Sequence, residues 1–455
     1  MDASSPGNVH LVGCLGSGMA ALARLYVGLG WAVTGSDARA LDPDARASVD
    51  RLERWGVQVT PHAAQTPTQP DLIVRSLAIP ADHPELAGHR AVINRVEALR
   101  DLLAMLDIPV VAISGVTGKS TVTALTAQLL DQLCPLPLLY LGAELPGYTD
   151  QFHQAEPDQC AVVEACEVLG GMSRLPRTIA VISSVYWGEH PASYPTPASL
   201  TPAFRDFLAP SRVAVVPYDH RELAENHAVV TFGDARADIQ LAAYEANPEG
   251  FVATYGVGGN EIVACTRLHG RHNAGNLAAA LATLLAYGVP TEALRGLDYS
   301  ALKPPRRRLE RVGDLGRTAL YDDFAHNPLQ IAATHQALRE MHPGASIAVH
   351  FQPRGFERLH AFGPRYAETL GLFDRVVVAP PMRTFEDTSA TVDESKFADT
   401  IVTDLRHRGV DARVGGLADA DELASCDVAC VLDILPITAT AARLRAHQNE
   451  IATTP

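Results

Sequence analysis

Residues 111–123 read Val-Ala-Ile-Ser-Gly-Val-Thr-Gly-Lys-Ser-Thr-Val-Thr, and this stretch decides the class of fold. The apolar run at 110–113 predicts a buried strand, 114–118 a tight loop, and 119–130 a helix with apolar periodicity. In such a loop, backbone amides and the helix N-terminus bind phosphate, a lysine reaches the terminal phosphates, and a hydroxyl reaches magnesium. A glycine turn beside a solvated lysine is the simpler alternative, but here strand, glycines, lysine and paired hydroxyls coincide. The stretch therefore predicts an ATP-binding site.

The composition is that of an ordinary globular protein. The 455 residues are enough for about three domains. The 37 basic and 52 acidic residues give a net charge of −15, which argues against a nucleic acid or an anionic membrane as partner. The seven cysteines form no Cys-x-x-Cys pair, a pattern typical of reduced thiols rather than disulfides or a zinc site. With no evident signal peptide or membrane-length apolar run, we expect a cytoplasmic protein.

Three segments of the chain each begin again with a strand, a turn and a helix. The first strands are expected at 9–12, 110–113 and 318–321, and strands alternate with helices after each of them. Such alternation is typical of parallel sheets covered by helices on both faces. We therefore predict an α/β fold of three domains, each a mainly parallel sheet with flanking helices. The N-terminal domain is expected to be Rossmann-like, the central one P-loop ATPase-like and the C-terminal one Rossmann-like.

The best candidate for a linker is Lys303-Pro304-Pro305, because paired prolines oppose both a helix and a strand ladder. Within the central segment, an antiparallel patch is expected between 228 and 268, with one of its strands at 229–232. The predicted domains are 1–106, 107–304 and 305–455.

A glycine-rich loop follows the first predicted strand. It reads Gly13-Cys14-Leu15-Gly16-Ser17-Gly18, and a helix is expected from Met19 onward. A second strand at 32–34 ends at Gly35-Ser36-Asp37, which puts an acidic residue where a ribose or a base could be bound. The pattern indicates the start of a Rossmann-like nucleotide-binding unit.

Carboxylates and a histidine follow later strands of the central segment. Glu164 ends a buried strand, at the sheet edge where ligands of α/β proteins bind. Magnesium prefers hard oxygen ligands, so Glu164 and Ser120 are sensible partners for it. An isolated carboxylate at a strand end is as often a surface group, and His190, which follows the strand at 180–185, is as often merely structural.

Two further clusters flank the linker, and a third includes residues 322–328. Asn273 precedes an apolar helix and is a plausible N-cap, which leaves His272 and Asn276 unexplained. The three arginines at 306–308 could form a solvated hinge or swing onto the ATP phosphates. Residues 322–328 read Asp-Asp-Phe-Ala-His-Asn-Pro, and two acids with a histidine at a strand end commonly bind a ligand or a metal-bound water.

In this order, the clusters resemble the Mur ligases, the ATP-dependent enzymes that build the peptide stem of bacterial peptidoglycan. The resemblance covers nearly the whole chain and includes Gly-Val-Thr-Gly-Lys-Ser-Thr at 115–121, Glu-Ala-Cys-Glu at 164–167 and Phe-Gln-Pro-Arg at 351–354. It implies that the N-terminal domain binds a UDP-sugar, the central domain ATP, and the C-terminal domain the incoming amino acid or peptide.

The resemblance also implies roles for individual residues. The implied catalytic residues are Lys119, Glu164, His190 and His326, and the implied magnesium ligands are Ser120, Glu164 and His190. The implied ATP-binding residues are Gly115, Thr117, Gly118, Lys119, Ser120, Thr121, His272, Asn273, Asn276, Arg307, Arg308 and Asp323. The implied UDP-sugar-binding residues are Gly13, Gly16, Ser17, Gly18, Met19, Ser36, Asp37 and Ser76. The residues implied for the incoming amino acid are Arg354, Arg358 and His326.

The implied reaction joins the carboxylate of UDP-N-acetylmuramate to the amino group of L-alanine through an acyl phosphate, with ATP and Mg²⁺. A carboxylate needs this activation because its oxygen is a poor leaving group. Residues 305–310 and Pro353-Arg354 favour a second possibility, the same chemistry on a recycled peptide that begins with L-Ala. Phe351-Gln352 and Arg358 favour free L-alanine. We expect a monomer or a weak dimer.

The sequence departs from the family pattern in several places. Cys166 replaces an aspartate, Val116-Thr117 replaces the usual loop residues, and Arg354-Gly355 replaces His-Arg. Glu189-His190 stands for Asp-His, with one inserted residue after Ser184, and residues 432–435 replace a Gly-Ala-Gly-Asp-Ile motif. These changes leave open a catalytically silent nucleotide-binding relative. Another ligase of the superfamily, acting on folate or cyanophycin, is a further alternative, although the nucleotide loop at Gly13–Met19 on a separate N-terminal domain argues against folate.

Overall fold

The computed structural model describes residues 6–63, 66, 69–136, 138–148, 159–225, 227–384, 387, 395–416 and 423–433. Their strands form three sheets that follow one another along the chain. The predicted α/β fold, with three mainly parallel sheets and flanking helices, is confirmed. No helix in this part of the chain combines the length and apolar character that crossing a bilayer requires.

The first sheet is entirely parallel. Its strands are β1 (Asn8–Val12), β2 (Ala32–Ser36), β3 (Gln58–Thr60), β4 (Leu72–Arg75) and β5 (Val92–Asn94). They lie in the order β3-β2-β1-β4-β5. The accompanying helices are α1 (Ser17–Gly28), α2 (Arg46–Arg54) and α3 (Arg95–Leu106). Asn94 begins α3 with a capping box, because its side chain accepts from the amides of Val96 and Glu97 while Glu97 accepts from the Asn94 amide.

The central sheet has nine strands. They are β6 (Val110–Ser114), β7 (Leu138–Tyr140), β8 (Ala161–Glu164), β9 (Ile179–Ile182), β10 (Val213–Pro217), β11 (Ala228–Gly233), β12 (Ile239–Asn247), β13 (Gly250–Val257) and β14 (Asn260–Thr266). Their order is β14-β13-β12-β11-β10-β9-β6-β8-β7. The helices are α4 (Lys119–Asp131), α5 (Pro197–Leu208), α6 (Arg271–Tyr287) and α7 (Thr291–Arg295).

The antiparallel patch is smaller than expected. The predicted strand at 229–232 lies in β11, which pairs in parallel with β10 and with β12, so this part of the prediction is wrong. A short 3₁₀ helix, Tyr218–Ala224, links β10 to β11, and β11 runs in the same direction as β10. Only β12, β13 and β14 are antiparallel. Gly258-Gly259 turns β13 into β14 with φ of +54° and +82°, values that glycine adopts without strain.

The third sheet has six strands. They are β15 (Glu310–Leu315), β16 (Thr318–Asp323), β17 (Ile347–Phe351), β18 (Arg375–Val378), β19 (Asp411–Val414) and β20 (Val428–Leu432). Their order is β15-β16-β20-β17-β18-β19. The helices are α8 (Pro328–Met341), α9 (Phe356–Phe362), α10 (Arg365–Leu370) and α11 (Ser395–His407).

The first strand of this third sheet was predicted at 318–321, which is wrong. That segment lies in β16, and β15 precedes it as an antiparallel edge strand. Leu315 is the single buried residue of β15, so the strand lacks the apolar run by which buried strands are recognised. The predicted linker at 303–305 is held against α4, because Gln128 exchanges two hydrogen bonds of 2.9 Å with the backbone of Lys303.

Candidate active site

The phosphate loop has the predicted strand–loop–helix form. The chain leaves β6 at Ser114 and enters α4 at Lys119, with Gly118 at the helix N-cap and φ of +80°. A Cβ on Gly115 would lie 2.4 Å from Ser183 Oγ, and one on Gly118 would lie 2.5 Å from Asn276 Oδ1. Both positions therefore require glycine.

Two of the predicted magnesium ligands lie in direct contact. Ser120 Oγ donates a hydrogen bond of 2.9 Å to Glu164 Oε1. The other carboxylate oxygen of Glu164 accepts from the Gly142 amide at 2.8 Å. Arg308 Nη2 lies 3.4 Å from Ser120 Oγ, so an arginine of the third segment reaches the phosphate loop.

Glu167 is the centre of a second contact and was not among the predicted site residues. Its Oε1 lies 2.9 Å from Lys119 Nζ and 3.1 Å from His190 Nε2. Burial raises the pKa of Glu167, but Lys119 and His190 outweigh burial and hold it below its ordinary value. His190 therefore contacts Glu167 rather than the Ser120–Glu164 pair with which it was grouped. The second acid of the Glu-Ala-Cys-Glu motif was the signal that could have identified Glu167.

Metal-ligating side chains do not converge on one point. Within the described ranges, no group of three or more histidine, cysteine, aspartate and glutamate side chains could hold a metal ion. Glu167 Oε2 is buried and has no hydrogen-bond partner among the described residues.

The adenine-side cluster lies beside the phosphate loop, but not as an N-cap. Helix α6 begins at Arg271 with Gly270 as its N-cap, so Asn273 is the third residue of the helix and the N-cap interpretation is wrong. Asn273 Nδ2 instead donates to His269 O at 2.8 Å. Asn276 Nδ2 donates to Asn273 Oδ1 at 3.0 Å, and this places Asn276 next to Gly118.

The arginines after the linker surround one aromatic ring. Arg307, Arg308 and Arg354 place their guanidinium carbons 5.4, 4.9 and 4.5 Å from the ring centroid of Phe324. Arg307 also donates to Asp322 Oδ2 at 2.9 Å. The backbone at Arg307 has φ of +61°, a left-handed conformation that costs free energy in a residue other than glycine.

The carboxylate of Asp323 forms hydrogen bonds with neighbouring backbone amides. Its carboxylate accepts from the amides of Leu309 at 2.9 Å and Ala325 at 2.7 Å, and from Thr334 Oγ1 at 3.2 Å. Burial raises the pKa of Asp323, although Arg308 opposes this effect. These contacts fix the chain on both sides of Phe324. The C-terminal departure at 432–435 is only partly described, since residues 434 and 435 lie outside the described ranges.

Glu189 joins the central segment to the third. Its Oε1 lies 2.5 Å from His326 Nε2 and 3.2 Å from Arg358 Nη2. Its Oε2 accepts from Asn327 Nδ2 at 2.8 Å. Burial raises the pKa of Glu189, but Arg358 and His326 hold it well below its ordinary value. Neither Glu189 nor Asn327 was predicted, because their contacts join residues far apart in the sequence.

The predicted UDP-sugar residues lie together at the carboxyl edge of the first sheet. The amides of Gly13 and Cys14 donate to Ser36 O, and the Leu15 amide donates to Asp37 Oδ2 at 3.1 Å. Asp37 therefore holds the glycine-rich loop in place. Met19, in the first turn of α1, is 1% exposed and packs into the core, so its side chain is not available to a ligand.

The glycine-rich loop also contacts the central segment. Tyr140 OH donates to Gly18 O at 3.0 Å, and Arg95 Nη1 donates to Tyr140 OH at 2.6 Å. Gly16 and Ser17 belong to this loop, and Ser76 lies beside it, since a Cβ on Gly13 would be 2.9 Å from Ser76 Cβ. Contacts thus connect residues of all three segments around the phosphate loop.

Family models match almost the whole described chain. The model described as "Mur ligase family, catalytic domain" matches residues 8–107, "Mur ligase middle domain" matches 113–284, and "Mur ligase, glutamate ligase domain" matches 307–432. A UDP-N-acetylmuramate–L-alanine ligase of Rhodopseudomonas palustris is 32% identical over 397 residues, which cover 82% of each chain. The chain belongs to the Mur ligase family. The predicted resemblance is confirmed, and this Mur ligase is an enzyme that forms a carbon–nitrogen bond.

Solved structures share the Mur ligase fold. The UDP-N-acetylmuramate-alanine ligase of Thermotoga maritima has a TM-score of 0.80 at 23% identity, covering 98% of this chain and 100% of that one. A murein peptide ligase of Psychrobacter arcticus has a TM-score of 0.67 at 18% identity, covering 97% and 98%. Another Mur ligase of T. maritima, in complex with ADP, has a TM-score of 0.57 at 15% identity, covering 90% and 92%. The roles of individual residues stay predictions.

Proposed function

We propose that this Mur ligase joins the carboxylate of UDP-N-acetylmuramate to the amino group of L-alanine and converts ATP to ADP and phosphate. One observation carries the proposal: Arg308 of the third segment contacts Ser120 of the phosphate loop, and Gly18 and Arg95 of the first segment contact Tyr140, on the strand beside the one that ends at Glu164. The reaction brings ATP, UDP-N-acetylmuramate and L-alanine together, so its site must lie where the three segments contact one another. The names of the curated relatives support the choice of substrates.

In this proposal each domain binds a different substrate. Residues 1–106 bind the UDP-sugar, residues 107–304 bind ATP, and residues 305–455 bind the amino acid. ADP in the related T. maritima enzyme supports the use of an adenine nucleotide. Because ATP and a UDP-sugar are the substrates, the enzyme works in the cytoplasm.

The chemistry requires cations at the phosphate loop. The first step brings an anionic carboxylate against the γ-phosphate of ATP, and the resulting acyl phosphate is then attacked by the amine of L-alanine with release of phosphate. Enzymes catalyse phosphoryl transfer mainly by position and charge stabilisation. Lys119, which precedes Ser120 in the chain, and Arg308, whose Nη2 lies 3.4 Å from Ser120 Oγ, supply this positive charge. Glu167 orients Lys119, and His190 orients Glu167.

Magnesium fits the residues present. Ser120 and Glu164 offer hard oxygen atoms, and Glu167 Oε2 is a buried carboxylate oxygen without a hydrogen-bond partner among the described residues. Mg²⁺ usually takes only one or two protein carboxylates beside water and phosphate oxygens, so a larger ligand cluster is not required. Bound there, the ion would offset negative charge on the phosphates.

The rate of phosphate release tests which compound is the acceptor. With ATP, Mg²⁺ and UDP-N-acetylmuramate, we expect L-alanine to accelerate phosphate release at least tenfold over the rate without acceptor, because the acyl phosphate then has its amine. D-Alanine is the matched control and should give the rate without acceptor. Faster turnover with L-Ala-γ-D-Glu-diamino acid would instead assign the recycling reaction. Mass spectrometry of the product separates the two outcomes.

Asp37→Ala should weaken binding of the UDP-sugar. The carboxylate holds the amides of Leu15 and Arg39, so its loss frees the glycine-rich loop and costs roughly 1–3 kcal/mol, or about tenfold to a hundredfold in Kd. Calorimetric titration of the full chain with UDP-N-acetylmuramate, without ATP, measures this change. Asp50→Ala, the same change on the outer face of α2, is the control. Equal affinity of the two variants would contradict the site.

A further inference from the structure

Tyr140 joins the glycine-rich loop of the first domain to the central sheet. Its hydroxyl donates to Gly18 O at 3.0 Å and accepts from Arg95 Nη1 at 2.6 Å. Tyr140 is 2% exposed, and burial raises the pKa of its phenol although Arg95 opposes this effect. The hydroxyl therefore keeps its proton and can donate to the loop carbonyl.

The contact is closely packed on the side of the loop. A Cβ on Gly18 would lie 2.9 Å from Arg95 Nη1 and 3.0 Å from Tyr140 OH, closer than ordinary van der Waals contact. Closely packed groups transmit a displacement instead of absorbing it. A shift of the backbone at Gly18 therefore moves the side chains of Tyr140 and Arg95 as well.

Two residues after Tyr140, the same segment of the chain contacts Glu164. Strand β7 ends at Tyr140, which pairs with Val163 of β8, and the Gly142 amide then donates to Glu164 Oε2 at 2.8 Å. A Cβ on Gly142 would lie 3.2 Å from the same oxygen. The other oxygen of Glu164 accepts from Ser120 Oγ. The position of the Gly142 amide thus helps to determine where both proposed magnesium ligands lie.

The segment is also held at its far end. The amide of Arg306, directly after the linker, donates to Glu144 O at 2.8 Å. A movement that begins at Tyr140 is therefore taken up by the residues before Glu144, and Gly142 is the middle one of these.

We infer that Tyr140 is a positioning residue, through which a UDP-sugar bound at the glycine-rich loop places Glu164 for magnesium and nucleotide. This inference rests on the proposed function, because it presupposes both substrates. The path is short, since it runs from Gly18 to Tyr140, along the backbone to Gly142, and from that amide to Glu164. Contiguous contacts of this kind carry an energetic connection between two sites, and a substitution within them changes that connection.

The test measures the Kd of ADP with Mg²⁺ by calorimetry, without and with saturating UDP-N-acetylmuramate. In the wild-type enzyme we expect the UDP-sugar to lower this Kd at least about fivefold. Tyr140→Phe removes only the hydroxyl, so its Kd for ADP alone should stay within about twofold of the wild-type value, and the effect of the UDP-sugar should fall below about twofold. Tyr148→Phe is the matched control, because that hydroxyl donates to Asp131 Oδ2 at 3.1 Å and its loss should leave the effect intact.

The ratio of the two Kd values distinguishes positioning from a purely structural role. A structural role of Tyr140 would weaken ADP binding by the same factor with and without the UDP-sugar, and an unchanged ratio in Tyr140→Phe would overturn the inference. Wild-type enzyme that bound both ligands without any change in the Kd of ADP would overturn it too. If the wild-type enzyme bound neither ligand, the proposed function itself would fail.

Gly142→Ala tests the other end of the path. The added methyl group presses against Glu164, so the Kd of ADP with Mg²⁺ should rise at least about fivefold, whereas the Kd of UDP-N-acetylmuramate without ADP should stay within about twofold. The retained binding of the UDP-sugar also shows that the variant is folded. Wild-type affinity of Gly142→Ala for ADP would show that this segment does not position Glu164, which would contradict the inference.

Discussion

Lys119→Ala is expected to lower kcat by at least about 1000-fold and to leave the Kd for UDP-N-acetylmuramate within about twofold. The lysine contacts two loop carbonyls and Glu167, and in the proposed reaction negative charge grows on the phosphates at this loop. A cation preorganised at such a place contributes several kcal/mol to the transition state, roughly 4 kcal/mol for a 1000-fold effect. Initial rates of phosphate release, with both other substrates saturating, measure the change.

Stability has to be measured beside the rate, because Lys119→Ala takes the lysine away from the buried carboxylate of Glu167 and leaves it His190 at 3.1 Å. Loss of one partner of a buried pair costs about 3–5 kcal/mol of unfolding free energy. Lys396→Ala removes a lysine from the exposed side of α11 and controls for the loss of a positive charge. A folded Lys119→Ala enzyme that retained more than about a tenth of the wild-type rate would refute the assignment of this phosphate site.

Glu167→Gln should have the next largest effect. The amide keeps the shape of the side chain but not the charge that holds Lys119 and His190, so we expect kcat to fall about 100-fold or more. The Michaelis constant for L-alanine should change little. Glu292→Gln, in the first turn of α7, is the control. Wild-type activity in Glu167→Gln would contradict this role of Glu167 and would show that the loop carbonyls suffice to position Lys119.

The difference in stability between the wild-type protein and Glu167→Gln should become smaller at acidic pH. The pKa of Glu167 lies below its ordinary value in the folded protein, so the carboxylate stabilises the fold above the unfolded pKa of about 4.3. This contribution is lost as the pH falls from there toward the folded pKa. The difference in unfolding free energy between wild type and Glu167→Gln, from denaturant titrations, should therefore be largest near neutral pH and shrink below about pH 4. A difference independent of pH would show that shape rather than charge matters.

Local features of the site could be predicted from the sequence because they depend on residues that are neighbours in the chain. The strand before Gly115 and the helix after Gly118 follow from apolar periodicity and from glycine. Glu164, at the end of β8, and Ser120, in the first turn of the helix that follows β6, lie together because these neighbouring parallel strands end at one edge of the sheet. The same reasoning placed Asp37 beside the glycine-rich loop.

Contacts between distant residues could not be predicted in this way. His190 follows its strand as expected, but which of two glutamates it contacts depends on the path of the chain between 164 and 190. The contact of Glu189 with His326 and Arg358 depends on how two sheets are placed, which no local pattern encodes. The edge strand β15 was missed for a different reason, since only one of its residues is buried and it lacks apolar periodicity.

The contacts of the Phe324 ring have a consequence for how the binding of one substrate affects the binding of another. Two of the arginines around it, Arg307 and Arg308, follow the linker, whereas Arg354 belongs to the loop before α9. When an anion draws one guanidinium away from the ring, the packing of the others changes. Any cooperativity that this produces is reciprocal: nucleotide that strengthens amino-acid binding by some factor must itself be held more tightly by the same factor once the amino acid is present. A single aromatic side chain thus contacts arginines from both sides of such a coupling.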